Sequence, residues 1–407
     1  MNILKLCSRI PFPPKDGGTI GVWVLLENLA KIGNNVTVLS LNTNKHYVDL
    51  ERVKNNLVNN INIIDIPINT DIRLKKALNN LLFSKIPYNS ERFYSEKYIK
   101  KLTELLKNQK FDIIQIESPN MGYCISTIKK YSNAPIVART ANVENEIWRR
   151  AAINEKNLIK KIYFNNLARR MQKLELDVLL NSDAFLTVTK KDLEYFLFNL
   201  TSKKKYNVKY KIIPTGINKN QIFNSFRQHK NVDFFFIGAL DWLPNQEGIK
   251  WFLNNVWLKF IDLNKSIEFH IAGRYASNKF INYLNNYRNV IFHGEVDNAV
   301  EYMREHTIMV VPLLSGSGMR VKIVEAMANA NAIISTYIGA EGIGATHKNN
   351  IIIADTPQEF YNSMYECIND IEYVNYLAKN GLNFVAKNFI NENIVLELYD
   401  FFRKLSC

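Results

Sequence analysis

Cysteine is scarce and dispersed: Cys7, Cys124, Cys367 and Cys407 are the only four in 407 residues. That spacing excludes a disulfide framework and the paired thiols of a zinc ribbon, and it suits a reducing cytoplasm. No apolar run approaches the roughly 18 residues that a membrane span needs. The short apolar start, Met1 to Cys7, is broken by Arg9, Pro11 and Lys15 before it reads as a secretion signal. The chain has no Walker loop, no His/Cys metal spacing and no Asp-x-Asp pair to hold a divalent ion on a diphosphate. Histidine is sparse as well. His46 is alone in the N-terminal half, and His229, His270, His293, His306 and His347 read as scattered, with His293 beside Gly294 placed to line a ligand cleft. Low-complexity segments and short-period repeats are absent. What remains is a folded protein, 47% hydrophobic and 22% charged, and long enough for two domains.

The charge is unevenly divided. Residues 1–218 hold 35 Lys and Arg against 19 Asp and Glu, whereas residues 219–407 hold 17 against 19. A uniformly basic protein would suggest nucleic acid; here one half carries all of the excess, which reads as a basic half facing an anionic surface and a neutral half doing something else. The predicted domains are 1–218, 219–389 and a C-terminal helix, 390–407. Short runs of buried strand type alternate with helical spacing. They are Asn2–Cys7, Val36–Leu41, Ile61–Ile66, Phe111–Ile116, Ile136–Ala138, Phe185–Val188 and Tyr210–Ile213, then Val232–Ile237, Ile267–Ala272, Val290–Phe292, Ile308–Pro312, Ile333–Thr336 and Ile351–Ala354. One long helix is expected from about Val143 to Leu180. The alternation predicts an α/β protein with two Rossmann-like parallel-sheet domains around a central cleft.

Two segments carry chemistry. Pro11-Phe-Pro-Pro-Lys-Asp-Gly-Gly18 joins the first strand to the first helix, and Gly17 and Gly18 open a helix N-terminus to close approach by a phosphate or sugar. A simple turn is the alternative. Leu313-Leu-Ser-Gly-Ser-Gly-Met-Arg-Val-Lys-Ile-Val-Glu-Ala-Met-Ala328 reads as loop then helix after a strand. Gly316 and Gly318 permit an anion cradle, Arg320 and Lys322 supply charge, and Glu325 shares a helical face with Lys322. Two cations and one carboxylate suit a nucleoside diphosphate, the carboxylate accepting from the ribose hydroxyls. The alternative is an ordinary i,i+3 ion pair between Lys322 and Glu325.

The second segment, with Thr336-Tyr-Ile-Gly-Ala-Glu-Gly342, resembles the donor half of glycosyltransferase family 4, the group 1 enzymes of GT-B fold. Phe236-Ile-Gly-Ala-Leu-Asp-Trp-Leu-Pro-Asn-Gln-Glu-Gly248 resembles the opening of that half, and Ile213-Pro-Thr-Gly-Ile-Asn218 the junction between halves. The resemblance spans essentially the whole chain. It implies a retaining, metal-independent transferase, of hexosyl or related sugars, that binds a nucleotide-sugar donor in the C-terminal domain and a glycan or lipid-linked acceptor in the N-terminal one. It implies no cofactor and no nucleic-acid partner. It places Gly17, Gly18, Gly238, Gly273, Arg274, Val296, Ser317, Gly318, Met319, Arg320, Lys322 and Glu325 at the donor. A nucleotide-sugar 2-epimerase shares this design, and a basic lipid- or nucleic-acid-binding protein would need only the first half.

The chain departs from the family pattern at three places. Ser317, eight residues before Glu325, stands where many members carry an acid that contacts the sugar. Ala239 and Glu247 replace an Arg/Lys pair, so Arg320 and Lys322 would supply that charge. In Ala138-Arg-Thr-Ala-Asn-Val-Glu-Asn-Glu-Ile-Trp-Arg-Arg150, Ala141 stands where the family's His-Asn-Val-Glu segment has its histidine, followed by the expected Asn142 and Glu144. A replaced histidine in a variant, an enzyme that manages without it and a chain that has lost activity all fit this pattern, and an unrelated strand-to-helix loop is the alternative. Lys and Arg are dense along Lys75–Lys110 and Trp148–Lys173, interleaved with Tyr88, Phe93, Tyr94, Tyr98, Tyr163 and Phe164. Such a surface is expected to dock on anionic lipid at the inner membrane face; ordinary amphipathic helices with solvated outer faces are the alternative.

Overall fold

The computed structural model describes all residues except 15–16, 54–56, 202–207, 224–225, 227, 317 and 407. It forms two compact units, Met1–Thr215 with Asn391–Cys407, and Gly216–Ile390. Both are α/β units built on a parallel sheet.

The first unit has seven strands: β1 (Asn2–Cys7), β2 (Asn35–Thr43), β3 (Ile61–Ile68), β4 (Ile113–Ile116), β5 (Ile136–Thr140), β6 (Ala184–Thr187) and β7 (Lys209–Ile212). Their order is β3-β2-β1-β4-β5-β6-β7. Runs such as Ile-Ile-Gln-Ile in β4 are buried at every position, because helices cover both faces. On one face the helix Gly17–Lys31 buries Trp23, Leu25, Leu26 and Leu29, and stops at Gly33, whose φ of 87° lies in the left-handed region that favours glycine. The last helix, Asn391–Ser406, sets Ile394, Val395, Leu398 and Phe402 into the same apolar cluster, and Lys211 Nζ pairs with Glu397 Oε2 at 3.0 Å.

The long helix expected over 143–180 is two helices, Glu144–Asn154 and Leu158–Leu180. Polar side chains take the backbone groups between them. Asn157 Oδ1 accepts from Lys160 N at 3.1 Å, and Asn157 N donates to Glu155 Oε1 at 2.8 Å. With no proline or glycine there, periodicity alone ran through the break.

The second unit has six strands: β8 (Phe234–Ile237), β9 (Phe269–Ala272), β10 (Val290–Gly294), β11 (Ile308–Val311), β12 (Ala332–Ser335) and β13 (Ile352–Ile353), in the order β10-β9-β8-β11-β12-β13. Phe234, Phe236, Phe252, Trp257, Phe260 and Phe269 fill one side of this sheet. Ile217 N donates to Phe389 O at 2.9 Å, tying together the two ends of the unit. In each unit the strand order reverses beside its first strand, between β1 and β4 and between β8 and β11. Ligands of such sheets bind beyond the carboxyl ends at that reversal. Among the described residues no helix is long and apolar enough to cross a membrane.

Candidate functional site

The reversal in the second unit is flanked by the loops that leave β8 and β11. Gly316 and Gly318 in the β11 loop have φ of 120° and 80°. A side chain would be strained at both, and at Gly316 a Cβ would also collide with the Arg320 guanidinium. Arg320 is buried at the start of the helix Val321–Ala328, where its Nη1 donates to Gly318 O at 2.9 Å and its guanidinium lies 5.5 Å from the Trp242 ring. Met319 packs with Val296, which follows β10, on one apolar cluster. Ser317 lies outside the described residues, as do Lys15 and Asp16 of the first glycine loop.

The β8 and β9 loops lock onto each other. Gly238 N donates to Ala272 O at 3.1 Å, Gly273 N to Gly294 O at 2.7 Å, and Leu240 N to Arg274 O at 2.9 Å. Gly273 sits so close to the Gly238 carbonyl that a Cβ would strike it. The strand ends thus place Gly238, Gly273, Arg274, Val296, Gly316 and the residues from Gly318 to Glu325 beyond the carboxyl ends of the strands.

Lys322 and Glu325 do not form the i,i+3 pair. Lys322 Nζ donates to Asn245 Oδ1 at 3.3 Å and sits 3.9 Å from the centre of the Phe236 ring. Burial, reinforced by neighbouring Arg320, holds its pKa well below the usual lysine value. The Glu325 carboxyl has no side-chain or ion-pair partner among the described residues, and burial alone pushes its pKa up. Asn245 Nδ2 also donates to Ala239 O at 2.7 Å, so this residue couples the β8 loop to Lys322. Asn245 and Trp242 escaped the sequence reading, although both fall in the quoted Phe236–Gly248 run.

In the first unit, Gly17 and Gly18 are exposed in the first turn of their helix. Ala141 and Asn142 are half-exposed just beyond the carboxyl end of β5, and Glu144 opens the following helix. Burial raises the Glu144 pKa, opposed by a hydrogen bond with Asn142. That helix start is held by Glu175, fully buried, whose Oε1 accepts from Glu144 N at 2.7 Å and Oε2 from Asn145 Nδ2 at 2.6 Å. Beneath the β1/β4 reversal lie three buried charges that the sequence reading missed. Lys5 Nζ is 2.9 Å from Glu117 Oε1, and Arg139 Nη1 is 3.2 Å from Glu117 Oε2. Burial alone would raise Glu117; the two cations overcome it and hold the carboxyl below its usual value. Nothing in a single sequence marks these as partners, since pairing across β1, β4 and β5 is what joins them.

Two further readings need correction. The histidines are not scattered: His270, His293 and His306 meet on one face of the second sheet, because adjacent strands bring distant positions together. Of the aromatic residues expected on the basic surface, Tyr88 and Tyr98 are core, the latter donating its hydroxyl to Leu39 O at 2.7 Å. Exposed apolar groups there are mostly aliphatic.

Residues 231–370 match the family model described as glycosyl transferases group 1. That stretch holds β8 to β13 and every donor-side residue named above except Gly17 and Gly18. Over that stretch the chain is similar to the group 1 glycosyl transferases. An uncharacterized 44.6 kDa protein in the cps region of Klebsiella pneumoniae is 24% identical, over 98% of this chain and 99% of its own. Sucrose-phosphate synthase from Thermosynechococcus elongatus superposes with a TM-score of 0.72 at 17% identity, covering 100% of this chain and 99% of that one. HepE of Anabaena in complex with UDP-glucose gives 0.67 at 12% identity, covering 99% and 100%. The fold is GT-B, and family and fold together support glycosyl transfer as the activity.

Proposed function

We propose that this chain is a group 1 glycosyltransferase that moves a hexosyl or related sugar, with retained anomeric configuration, from a nucleotide diphosphate sugar to a lipid-linked or polysaccharide acceptor in bacterial cell-surface glycan synthesis. The observation that carries the donor assignment is the Glu325 carboxyl, held half-buried without a partner one turn into the helix that follows the Gly316–Gly318 loop. A half-buried carboxylate with no protein partner among the described residues is left able to accept hydrogen bonds from ribose hydroxyls. The loop, the N–H groups at the start of Val321–Ala328, and Arg320 with Lys322 take the diphosphate. In this reading the transfer step needs no divalent cation, because those groups stabilise the departing charge. The bond from the anomeric carbon to the phosphate oxygen breaks as the acceptor oxygen bonds on the same face, and the acceptor proton passes to the departing phosphate. Uridine is a natural first base to test, since HepE is described with UDP-glucose. The cps region of the Klebsiella relative supports the surface-glycan setting.

The acceptor side of the proposal is a cytoplasmic enzyme resting on anionic lipid through the first unit. Leu78, Leu82 and Phe83 of the helix Leu74–Phe83 are exposed, as are Leu158, Ile159 and Ile162 at the start of Leu158–Leu180. Exposed Lys75, Lys76, Lys85 and Lys160 interleave with them. Arg170 joins the two helices, donating to Asn80 O at 3.1 Å and Leu81 O at 2.7 Å. Apolar groups ringed by lysines fit a surface of anionic head groups over acyl chains. A thermal-shift screen against UDP-, GDP-, ADP- and dTDP-sugars tests the donor reading, and the protein should be stabilised by one base in preference to the rest. Turnover of that donor with no acceptor, giving an epimer, would replace the transferase reading; no stabilisation by any of them would overturn it.

A further inference from the structure

His270 is the second residue of β9, His293 the fourth of β10, and His306 stands just before β11. Ile291 pairs with His270, and the β9–β10 register breaks between Phe292 and Gly294, at His293. An irregularity of this kind re-aims a side chain, and here it accompanies the approach of His293 to His270. His270 Nδ1 and His293 Nε2 are 3.0 Å apart, and one ring nitrogen from each of the three histidines lies within 4.8 Å of the other two. The outward nitrogens of His306 and His270 meet carboxylates. Asp233 Oδ2 bonds His306 Nδ1 and lies 3.9 Å from His270 Nε2, which is 3.4 Å from Glu268 Oε2. Asp233 is itself fixed, its Oδ1 accepting from Thr307 N at 2.6 Å.

Histidines that ligate a metal turn one nitrogen to the ion and give the other N–H to a carboxylate, which sets the tautomer. Two histidines on one tetrahedral zinc, each at about 2.0–2.1 Å, have their ligand nitrogens about 3.3 Å apart. The 3.0 Å between His270 and His293 is within a few tenths of that. A second observation points the same way. Tyr302 is 95% buried, its ring centred 4.6 Å from that of His306 and 5.4 Å from that of His293, and its hydroxyl has no hydrogen-bond partner among the described residues. A water on the open position of a three-histidine ion would be such a partner.

We propose that His270, His293 and His306 form a site for one divalent transition-metal ion, zinc foremost, oriented by Asp233 and Glu268. The site is structural. It lies towards the amino ends of β8, β9 and β11, whereas Gly238, Gly273 and Arg320 follow their carboxyl ends, so it takes no part in sugar transfer. Its ion would join β10, at the sheet edge, to the loop before β11, on the far side of β8 and β9.

The test uses the full chain without a histidine tag, stripped with chelator and titrated with Co²⁺ alone and then Zn²⁺. One Co²⁺ per chain, with the visible absorption of a tetrahedral site and displacement by Zn²⁺, is expected, together with a rise in Tm on adding Zn²⁺. His293 is exposed, so His293→Ala should fold and should weaken Co²⁺ binding at least about a hundredfold. Asp233→Asn should weaken it about 10–100-fold, and His347→Ala should leave it unchanged. Failure of the wild-type chain to bind Co²⁺ at micromolar concentration would overturn the site whatever the variants do. Equal binding by wild type and His293→Ala would overturn it too.

Discussion

Lys322 bonds Asn245, 77 residues earlier in the chain, and not Glu325 one turn along its own helix. The consequence is a pH dependence with two limbs. Burial lowers Lys322 and raises Glu325. A bound diphosphate favours charged Lys322, so binding takes up a proton, and affinity falls as pH rises through the lowered lysine value. Ribose hydroxyls favour ionised Glu325, so affinity also falls as pH drops through its raised value. Calorimetry with the preferred nucleotide sugar, whose phosphates do not titrate near neutrality, should show both limbs. Lys322→Met should abolish the alkaline one and Glu325→Gln the acid one. A flat profile in the wild-type protein would contradict both assignments.

The Lys5–Glu117–Arg139 group predicts a large stability effect. Glu117→Gln leaves two buried cations without their carboxylate, and breaking a buried pair in this way costs about 3–5 kcal/mol. Lys5→Met should cost less, since Arg139 still compensates Glu117. Urea midpoints read both, and a smaller loss in Glu117→Gln than in Lys5→Met would show that the charges are not organised around the carboxylate.

Ala141 is half-exposed at the end of β5, with Asn142 and Glu144 in the expected pattern around it. If it replaces a histidine, Ala141→His should raise kcat about tenfold or more and leave donor affinity nearly unaltered. No gain with any donor and acceptor that the protein uses would contradict the alignment at this position.

The strand plan was legible almost completely. All thirteen runs of buried strand type became strands, because parallel strands covered on both faces leave a strong local apolar signal. The loop after β11 and the helix Val321–Ala328 were legible for a similar reason, since the glycines and the helical spacing are contiguous in the chain. What sequence could not supply was partnership at a distance. Asn245 with Lys322, Glu117 with Lys5 and Arg139, Glu175 with Asn145, and the three histidines are joined by sheet order and packing. The break at 155–157 was missed because Glu155 and Asn157 act through side-chain bonds that interrupt no apolar period.

Membrane docking should depend on aliphatic as well as basic groups. Leu82→Ser with Phe83→Ser removes two exposed apolar side chains worth about 1 kcal/mol or more each at an interface, so vesicle affinity should fall at least about tenfold. Flotation with phosphatidylglycerol vesicles reads this, and wild-type binding should weaken as salt rises. Binding that ignores lipid charge, or that is unchanged in the double variant, would contradict docking through this surface.

The central claim is that Glu325 receives the ribose of a nucleotide donor. Its most direct test is calorimetric titration of the preferred nucleoside diphosphate into wild-type and Glu325→Ala protein, repeated with the 2′,3′-dideoxy analogue. Hydrogen bonds to a charged group contribute about 1.5–3 kcal/mol, so the variant should bind the ribonucleotide on the order of ten- to a hundredfold more weakly. Wild type and variant should bind the dideoxy analogue alike. Equal affinity of the folded variant and wild type for the ribonucleotide would contradict the account.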